Sequence, residues 1–273
     1  MTKARDSIED LKTIDANFAA KAPLASPSFT GTVTAADLNV TNGLAEINRT
    51  HSTTTAPLAT LDLMATSLGD MADGFGVQTR YKIKDTAGTE NVVGQLNVRR
   101  DGSDTLGRFE FHTNNTERMR IDSNGIVTKP LQPAFSACLG TSHTFAVGTT
   151  TIVFNSEIFD QNSDFNASAA TFTAPVTGKY QFNISVRVDN LDQGAGYYRL
   201  RLKTSNGDYQ PVILGTMDVF NADPTYYYFS MPVLADMDAG DTAYVQLQVS
   251  GGAAQAQIHA SRPNANFSGY LVA

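Results

Sequence analysis

The sequence contains one cysteine, Cys138, and no tryptophan. A single cysteine excludes an intrachain disulfide, and a small buried thiol is the expected state of Cys138. Charged residues are also scarce, because they make up 17% of the chain against roughly 25% in typical soluble domains. Thr, Asn, Ala, Ser and Gly take their place. This mixture favours β-structure and tight turns over long solvated helices.

Positive charge and long apolar runs are missing as well. The formal net charge is -7, and such an acidic balance disfavours binding to the phosphate backbone of nucleic acids. No run approaches the roughly 18 apolar residues of a membrane span, and the opening MTKARDSIEDLKT lacks the apolar stretch of a signal peptide. We therefore expect no nucleic-acid partner, no membrane insertion, and folding in a cytoplasm.

The familiar catalytic motifs are absent from the sequence. It has no nucleophile elbow, no phosphate-binding loop of the Walker type, no zinc-ligand spacing and no dinucleotide fingerprint. The four histidines lie in separate regions, and Cys138 near His143 is better explained as a structural thiol than as a catalytic pair. We expect a protein that is not an enzyme, with no cofactor and no assigned metal.

Calcium binding is an alternative at two groups of oxygen-bearing side chains. The first group has the spacing of positions 1, 3 and 5 of a calcium loop, but Phe165 follows where such a loop needs glycine. Ordinary solvated turns are the default explanation of both groups. The two groups are Asp160, Asn162 and Asp164, and Asp218, Asn221 and Asp223.

The first 48 residues predict a helix followed by a thin extended segment. Leu11, Ile14 and Phe18 form one apolar stripe within residues 6–20, which is too short to be stable without a neighbour. Two prolines then forbid helix continuation. We expect residues 1–24 to be a helical anchor. Residues 25–48 are expected to be a thin β shaft, or alternatively a flexible linker.

Residues 49–130 are expected to be rich in β-structure. Partial alternation of apolar and polar residues predicts strands at Val77–Ile83, Val92–Val98 and Arg108–His112, with turns between them that contain glycine. Whether residues 49–74 are ordered is left open, and a short helix over residues 58–71 is one possibility.

Residues 131–273 predict an antiparallel jelly-roll sandwich. The segment from Gly178 to Val186 alternates cleanly, so Tyr180, Phe182 and Ile184 share one face and are expected to be core. About nine or ten strands in such a length fit this fold. The expected strands are 133–138, 150–155, 168–173, 178–189, 196–204, 210–219, 225–234, 242–249 and 266–272.

A series of residues in this region, taken by their order and spacing along the sequence, resembles the signature of a known family. The set is Phe154, Asp160, Phe165, Phe172, Gly178, Tyr180 and Phe182, followed by Phe267-Ser268-Gly269-Tyr270. Its order and spacing resemble the globular head of complement component 1q, which is related to tumour necrosis factor. Ile184 departs from the family's usual aromatic. The resemblance implies a homotrimeric jelly roll that binds other molecules and carries no catalytic residues.

Two further segments are similar to phage tail fibres. They are KAPLASPSFTGTVTA, starting at Lys21, and ERMRIDSNG, starting at Glu117. The resemblance implies a fibre on the virion tail, synthesised in the host cytoplasm and held to a tail or baseplate protein by residues 1–24. Alternatives are a structural virion protein, such as a capsid decoration or collar fibre, and a bacterial surface trimer with the same head. A polysaccharide-cleaving enzyme is a further alternative.

Strand alternation predicts which loops face the host. If the chain enters and leaves the head at its base, loops 156–166, 190–195, 219–225 and 251–265 lie at the far apex. Loops 174–178, 205–209 and 235–241 then lie at the base. Short polar side chains in the apex loops suit the hydroxyl groups of a host surface glycan. The candidate ligand-binding residues are Asp192, Gln193, Asn221, Asp223, Gln255, Gln257, His259, Arg262 and Asn264.

Overall fold

The computed structural model describes residues 59–253, 255–260 and 264–273, together with residues 47, 48, 52, 55 and 57. Eighteen strands and no helix occur in this described part, so none of its segments is a helix that could cross a membrane. The anchor predicted for residues 1–24 lies outside the described residues. So does the shaft predicted for residues 25–48, apart from its last two positions.

The possible helix over residues 58–71 is wrong for the described residues 59–71, which contain no helical turn. Its apolar side chains are poorly packed, since Leu61, Met64 and Leu68 are all more than half exposed. An isolated helix of this length is marginal in water without a packing surface.

Residues 76–128 form one antiparallel sheet of five strands in the order β1-β2-β3-β4-β5. This confirms the strands predicted in this region, and glycines with positive φ occupy the predicted turns at Gly88, Gly102 and Gly125. In the last turn, the Asp122 carboxylate accepts hydrogen bonds from the backbone of Asn124 and Ile126. The strands are β1 (Gly76–Lys84), β2 (Glu90–Asp101), β3 (Ser103–Thr113), β4 (Thr116–Ile121) and β5 (Val127–Thr128).

Residues 134–271 form a sandwich of two antiparallel sheets, as expected for a jelly roll. One sheet runs β7-β17-β12-β18-β6-β9, with β15 also paired to β12. Its strands are β6 (Ala134–Cys138), β7 (His143–Thr144), β9 (Ser156–Asp160), β12 (Gly178–Asp189), β15 (Tyr226–Met237), β17 (Gln257–Ile258) and β18 (Ala265–Leu271). The other sheet runs β10-β11-β16-β13-β14, with β8 paired to β16. Its strands are β8 (Gly148–Thr151), β10 (Phe165–Asn166), β11 (Thr171–Thr173), β13 (Tyr197–Thr204), β14 (Asp208–Leu214) and β16 (Thr242–Ser250).

Aromatic rings fill the space between the two sheets. Phe135 stacks on Phe165 at 4.7 Å and on Phe172 at 5.0 Å, and it meets the edge of Phe267 at 5.0 Å. Phe182 packs against the same group and is fully buried. The aromatic residues that carry the family resemblance are therefore core residues, as expected, except for Tyr270, which is exposed. Cys138 is also buried, as predicted.

Close packing against two aromatic rings of the core requires a glycine at position 269. A Cβ atom at this position would lie 2.6 Å from Cδ1 of Phe182 and 2.9 Å from Cε1 of Phe135. The missing side chain lets β18 pass directly over two rings of the core.

The register of the strands defines the two ends of the sandwich. Gly178 pairs with Met237 at one end of β12, and Asp189 pairs with Tyr226 at the other end. We call the first end the base, because the chain enters there at Ala134, which pairs with Tyr270 near the C-terminus. We call the second end the apex. Loops 190–195, 219–225 and the described part of 251–265 lie at the apex, as predicted.

The apical placement of residues 156–166 is wrong. Strand β9 runs antiparallel to β6 and pairs Asp160 with Phe135, which brings the loop after Asp160 to the base. There the Gln161 backbone N–H donates to the carbonyl of Ala134 at 2.9 Å. The sequence does not reveal β9, because Phe159 is 51% exposed and only one of the three less exposed positions, Ile158, is apolar. Because each additional strand reverses the direction of the chain, the loop after β9 lies at the end opposite to the one predicted without this strand.

Truncation of Phe182 should test the central role of the aromatic cluster. We expect Phe182→Ala to lower the free energy of unfolding by about 3–5 kcal/mol, since it removes buried area and leaves a cavity among rings that cannot close in. Urea unfolding followed by circular dichroism, at one fixed protein concentration, measures the loss. Phe159→Ala is the matched control and should cost less than half as much. Equal losses from the two variants would contradict the assignment of the core.

Candidate ligand-binding site at the apex

Asp192 organises the apical loops. Its Oδ1 atom accepts the Gly194 backbone N–H at 2.7 Å, and its Oδ2 atom accepts the backbone N–H of Ala253. Its own N–H donates to the hydroxyl of Tyr198 at 3.0 Å. Burial raises the pKa of Tyr198, so the ring stays neutral. Asp192, a predicted ligand residue, thus joins loops 190–195 and 251–253 to each other.

Gly252 is the position at which the second loop approaches Asp192. It has φ of +78°, and a Cβ atom there would lie 2.2 Å from Oδ2 of Asp192 and 2.9 Å from the backbone nitrogen of Ala195. Only glycine allows both the backbone conformation and the close approach. Gly251 has a similar φ of +73° but faces open space.

Asp223 joins a third loop to the same assembly. Its carboxylate accepts the Gln193 backbone N–H at 2.8 Å and the Gln255 side-chain amide at 3.0 Å. The first of these bonds, and then the second, lower the pKa of the Asp223 carboxyl, so it is ionised at neutral pH. The structure therefore brings together the predicted residues Asp192, Gln193, Asp223 and Gln255.

An open cleft of about 420 Å³ lies beside Asp223. Its polar groups are hydroxyls, amides and one carboxylate, which can both donate to and accept from an uncharged polar ligand. Strand β17 contributes the predicted residue Gln257, whose backbone pairs with Thr144 and Asp189. The cleft is lined by Thr144, Asn190, Asp223, Pro224, Thr225, Gln255 and Gln257.

A charged group lies at the apical end of β12. Arg187 donates two hydrogen bonds to the carboxylate of Asp189, at 2.7 and 2.9 Å, and its guanidinium lies 5.7 Å from the ring centroid of Tyr226. The Asp189 hydrogen bonds raise the pKa of Arg187. The predicted residue His259 places its Nε2 atom 3.1 Å from Oδ2 of Asp189. His259 therefore faces this ion pair.

The remaining predicted residues do not join the cleft. Asn221 and Asp218 are exposed on the loop before β15, and Arg262 lies outside the described residues. The backbone carbonyl of Asn264 accepts the Arg187 backbone N–H at 2.6 Å.

The other calcium candidates lie at the base, where they hold a turn. The Asp160 carboxylate accepts the backbone N–H groups of Asp164 at 3.1 Å and Phe165 at 2.8 Å. The Asn162 amide donates to both carboxylate oxygens of Asp164. Burial raises the pKa of Asp164. The carboxylate oxygens of Asp160 and Asp164 therefore accept hydrogen bonds from within the turn itself.

The sequence did not predict that Thr144, Asn190 and Thr225 line the cleft. Thr144 reaches the apex through the two-residue pairing of β7 with β17, which joins positions more than a hundred residues apart. Asn190 has a φ of +54°, and its N–H donates to the carbonyl of Thr225 at 2.9 Å. An asparagine directly after a strand is the signal that could have identified this turn.

With this geometry, the sandwich can be compared with known proteins. A family model described as the C1q domain matches residues 134–272, about half of the chain. The chain belongs to the C1q domain family. Among solved structures it is similar to the globular domain of the zebrafish complement 1qA protein, with 21% identity and a TM-score of 0.40, over 52% of this chain and 98% of that one. It is also similar to murine APRIL at pH 8.5, with 9% identity and a TM-score of 0.39, over 52% of this chain and 99% of that one. No curated protein matches the chain.

Outside the C1q domain, one cluster in the five-stranded sheet has potential metal ligands. Ligand atoms of Glu110, His112 and Glu117 lie within 4.8 Å of one another, the only such group among the described residues. Arg108 donates to Glu110 at 2.7 Å, the Arg99 guanidinium lies 3.3 Å from the same carboxylate, and Arg120 donates to Glu117 at 2.8 Å. Three guanidinium groups against two carboxylates disfavour a bound cation. The cluster is better explained as an ion-pair network within the sheet.

Replacement of Gly252 should loosen the apex. Gly252→Ala adds a methyl group where Asp192 and Ala195 leave no space, whereas Gly251→Ala imposes a similar backbone strain without a contact. We expect amide hydrogen exchange in residues 192–196 and 252–253 to accelerate about tenfold or more in Gly252→Ala. Equal exchange in the two variants would show that backbone strain alone, and not the contact with Asp192, decides the loop position.

The Glu110 network should make the sheet sensitive to acid. Burial alone raises the pKa of Glu110, but hydrogen bonds from Arg108, His112 and Asn97, with the charge of Arg99, outweigh it and lower the pKa from 4.5 to about 2. Because the folded-state pKa is depressed, the stabilisation is present above pH 4.5 and is lost as the pH falls towards 2.

Thermal melts at several pH values test this pH dependence. We expect Glu110→Gln to lower the melting temperature at pH 7, and the difference from the wild type to shrink between pH 4.5 and pH 2. Glu90→Gln, at an exposed pair with Lys82, should change the profile much less because solvent screens that pair. A constant difference across the window would argue against the network.

Proposed function

We propose that the chain is a homotrimeric phage tail fibre whose C1q head binds a glycan on the host surface without cleaving it. The observation that carries this proposal is the apical cleft. It lies at the end of the head opposite the entry of the chain at Ala134, which is the end that a fibre presents to a cell. Its lining of threonine, glutamine and asparagine beside the Asp223 carboxylate suits sugar hydroxyls.

The shape of the cleft favours weak individual binding. The site is open to solvent, and each net hydrogen bond contributes only about 0.5–1.5 kcal/mol. Three heads in one fibre, and several fibres on one particle, multiply such weak contacts into strong adhesion. Adhesion of this kind needs no catalytic group and no cofactor.

The outer face of strands β15, β12 and β18 supports the homotrimer. Leu234, Gln181 and Tyr270 form one row across this face, and the next row is Pro232, Asn183 and Ser268. Leu234 is 58% exposed and Tyr270 is 47% exposed in the single chain. The face carries no charge between Lys179 near the base and Arg187 near the apex. C1q-like and tumour necrosis factor-like domains form homotrimers, and this uncharged face is suited to such contacts.

The assignment to a phage rests on the two segments that are similar to tail fibres. The second of them, starting at Glu117, forms β4 and the turn closed by Asp122. In the proposed fibre, residues 1–24 attach to a tail or baseplate protein, and the protein is synthesised in the host cytoplasm before it joins the virion. A structural role in the virion and a bacterial surface trimer are the competing functions.

A combined substitution in the cleft should weaken glycan binding. We expect Thr144→Ala, Thr225→Ala and Gln257→Ala together to weaken binding at least about tenfold, because three hydrogen bonds of at least about 0.5 kcal/mol each are lost. These three residues line the cleft. Asp192 and Asp223 are left intact because their carboxylates hold the apical loops in place. The measurement uses full-length protein on an array of bacterial capsules and lipopolysaccharides.

The matched control removes polar groups at the base, with Thr177→Ala, Asn206→Ala and Asp238→Ala. Light scattering should show each variant at three times the chain mass of 29.3 kDa. Equal binding by the cleft and base variants would overturn the apical site. Absence of binding to every glycan would favour the structural role in the virion, and released oligosaccharide would contradict adhesion without cleavage.

A further inference from the structure

The five-stranded sheet, β1–β5, has one apolar face and one polar face. Residues that pair directly across neighbouring strands share a face. The apolar face, as we call it, contains a row of Val77, Val98, Phe109, Ile121 and Val127, which crosses all five strands. The row beside it is Thr79, Leu96, Phe111 and Met119. The apolar face therefore carries no charge in these two rows.

Side chains of the apolar face are about one-third to one-half exposed in the part of the chain that the structure describes. Val98 is 36% exposed, Phe109 46%, Phe111 38% and Val127 54%. The hydrophobic core of the described residues begins at Phe135, so no residue of this sheet belongs to it. A sheet with a large open apolar face is not expected to be stable in water by itself.

The charged side chains of the opposite face pair with one another, so this face is suited to contact with solvent. Its central row contains Gln78, Asn97, Glu110, Arg120 and Thr128. Asn97 is 1% exposed and Glu110 is 3% exposed, and the side chains of Arg99 and Arg108 form ion pairs with Glu110. The charged centre of the sheet is thus more buried than its aromatic residues, the reverse of an ordinary single domain.

The connection to the head brings copies of this sheet together. Only residues 129–133 separate β5 from β6, so β5 ends within roughly 22 Å of the base of its head. The side chain of Gln161 donates to the carbonyls of Lys129 and Gln132, and that of Gln132 donates to the carbonyl of Leu271. These bonds hold the connection against the base. Three heads joined in a trimer therefore keep three sheets at a very high local concentration.

We propose that the apolar face of β1–β5 packs against the same face of two further copies of this chain, below the heads. The occupant is a second and third copy because the two central rows of the face are uncharged, the first of them is apolar on every strand, and the face is held beside identical faces. The packing gives residues 76–128 a shared hydrophobic core that the single chain lacks. The proposal rests on the homotrimer proposed for the head, and it adds a second interface outside the C1q domain.

Thiol cross-linking in the full-length protein tests this interface. Val98→Cys and Val127→Cys place thiols on the apolar face, and Gln78→Cys and Thr128→Cys place matched thiols on the opposite face. Each is made with Cys138→Ala, so that the introduced thiol is the only one present. We expect a short bis-maleimide to link chains in the first pair and not in the second. Light scattering checks that each variant remains a trimer.

The outcomes separate this interface from the trimer of the head. A trimer whose apolar-face thiols react freely with a monofunctional maleimide, without cross-links, would show the face open and overturn the proposal. Protected thiols without cross-links would place another segment of the same chain, or a different partner, on the face and also overturn it. A monomer in light scattering would overturn the homotrimer itself.

A charge on the apolar face provides a second test. In a single chain, Phe109→Glu alters a half-exposed residue and should cost little. In the proposed assembly it buries three carboxylates in one apolar core, so we expect trypsin to cleave within residues 76–128 at least about tenfold faster. Gln78→Glu is the matched control and should leave cleavage unchanged. Equal cleavage in the two variants would overturn the proposal.

Discussion

The stacking of Phe135 against Phe165 and Phe172, closed by Phe182 and Phe267, is the contact on which the head depends. These rings come from both sheets and from strands far apart in the chain, so they fix which strands face each other. Because the antiparallel strands then run between base and apex, the direction of each strand determines the end at which the following loop lies. The apical cleft is a consequence of this core and of the strand directions that it imposes.

The sequence predicts the head well and its candidate site only in part. Alternation in β12 and the aromatic spacing are local patterns, and the amino-acid sequence alone is enough to identify Tyr180, Phe182 and Phe267 as core. The site depends on contacts between distant segments. Thr144 joins Gln257 through a pairing of two residues, and no local pattern marks so short a strand. Placement of Asp160 failed for a related reason, since the inner face of β9 carries no apolar alternation.

Three acidic side chains of the head hold turns and loops in place. Asp160 caps a basal turn, Asp192 joins two apical loops, and Asp223 joins the third. This division explains why Asp192, a predicted ligand residue, serves as a positioning residue, while the uncharged Thr144, Gln257 and Thr225 line the cleft.

The head and the sheet below it differ in how they are stabilised, and this difference bears on the proposed adhesion. The head has a closed core within one chain, whereas the sheet exposes Phe109 and Val127 and satisfies its charged groups internally. In the proposed trimer, the sheet becomes stable only through assembly, so its stability follows protomer concentration. Three weak clefts act together only when their heads are held in a fixed relation. In the proposed trimer, a shared core directly beneath the heads, connected to them through the hydrogen-bonded residues 129–133, supplies that rigidity where a flexible connection could not.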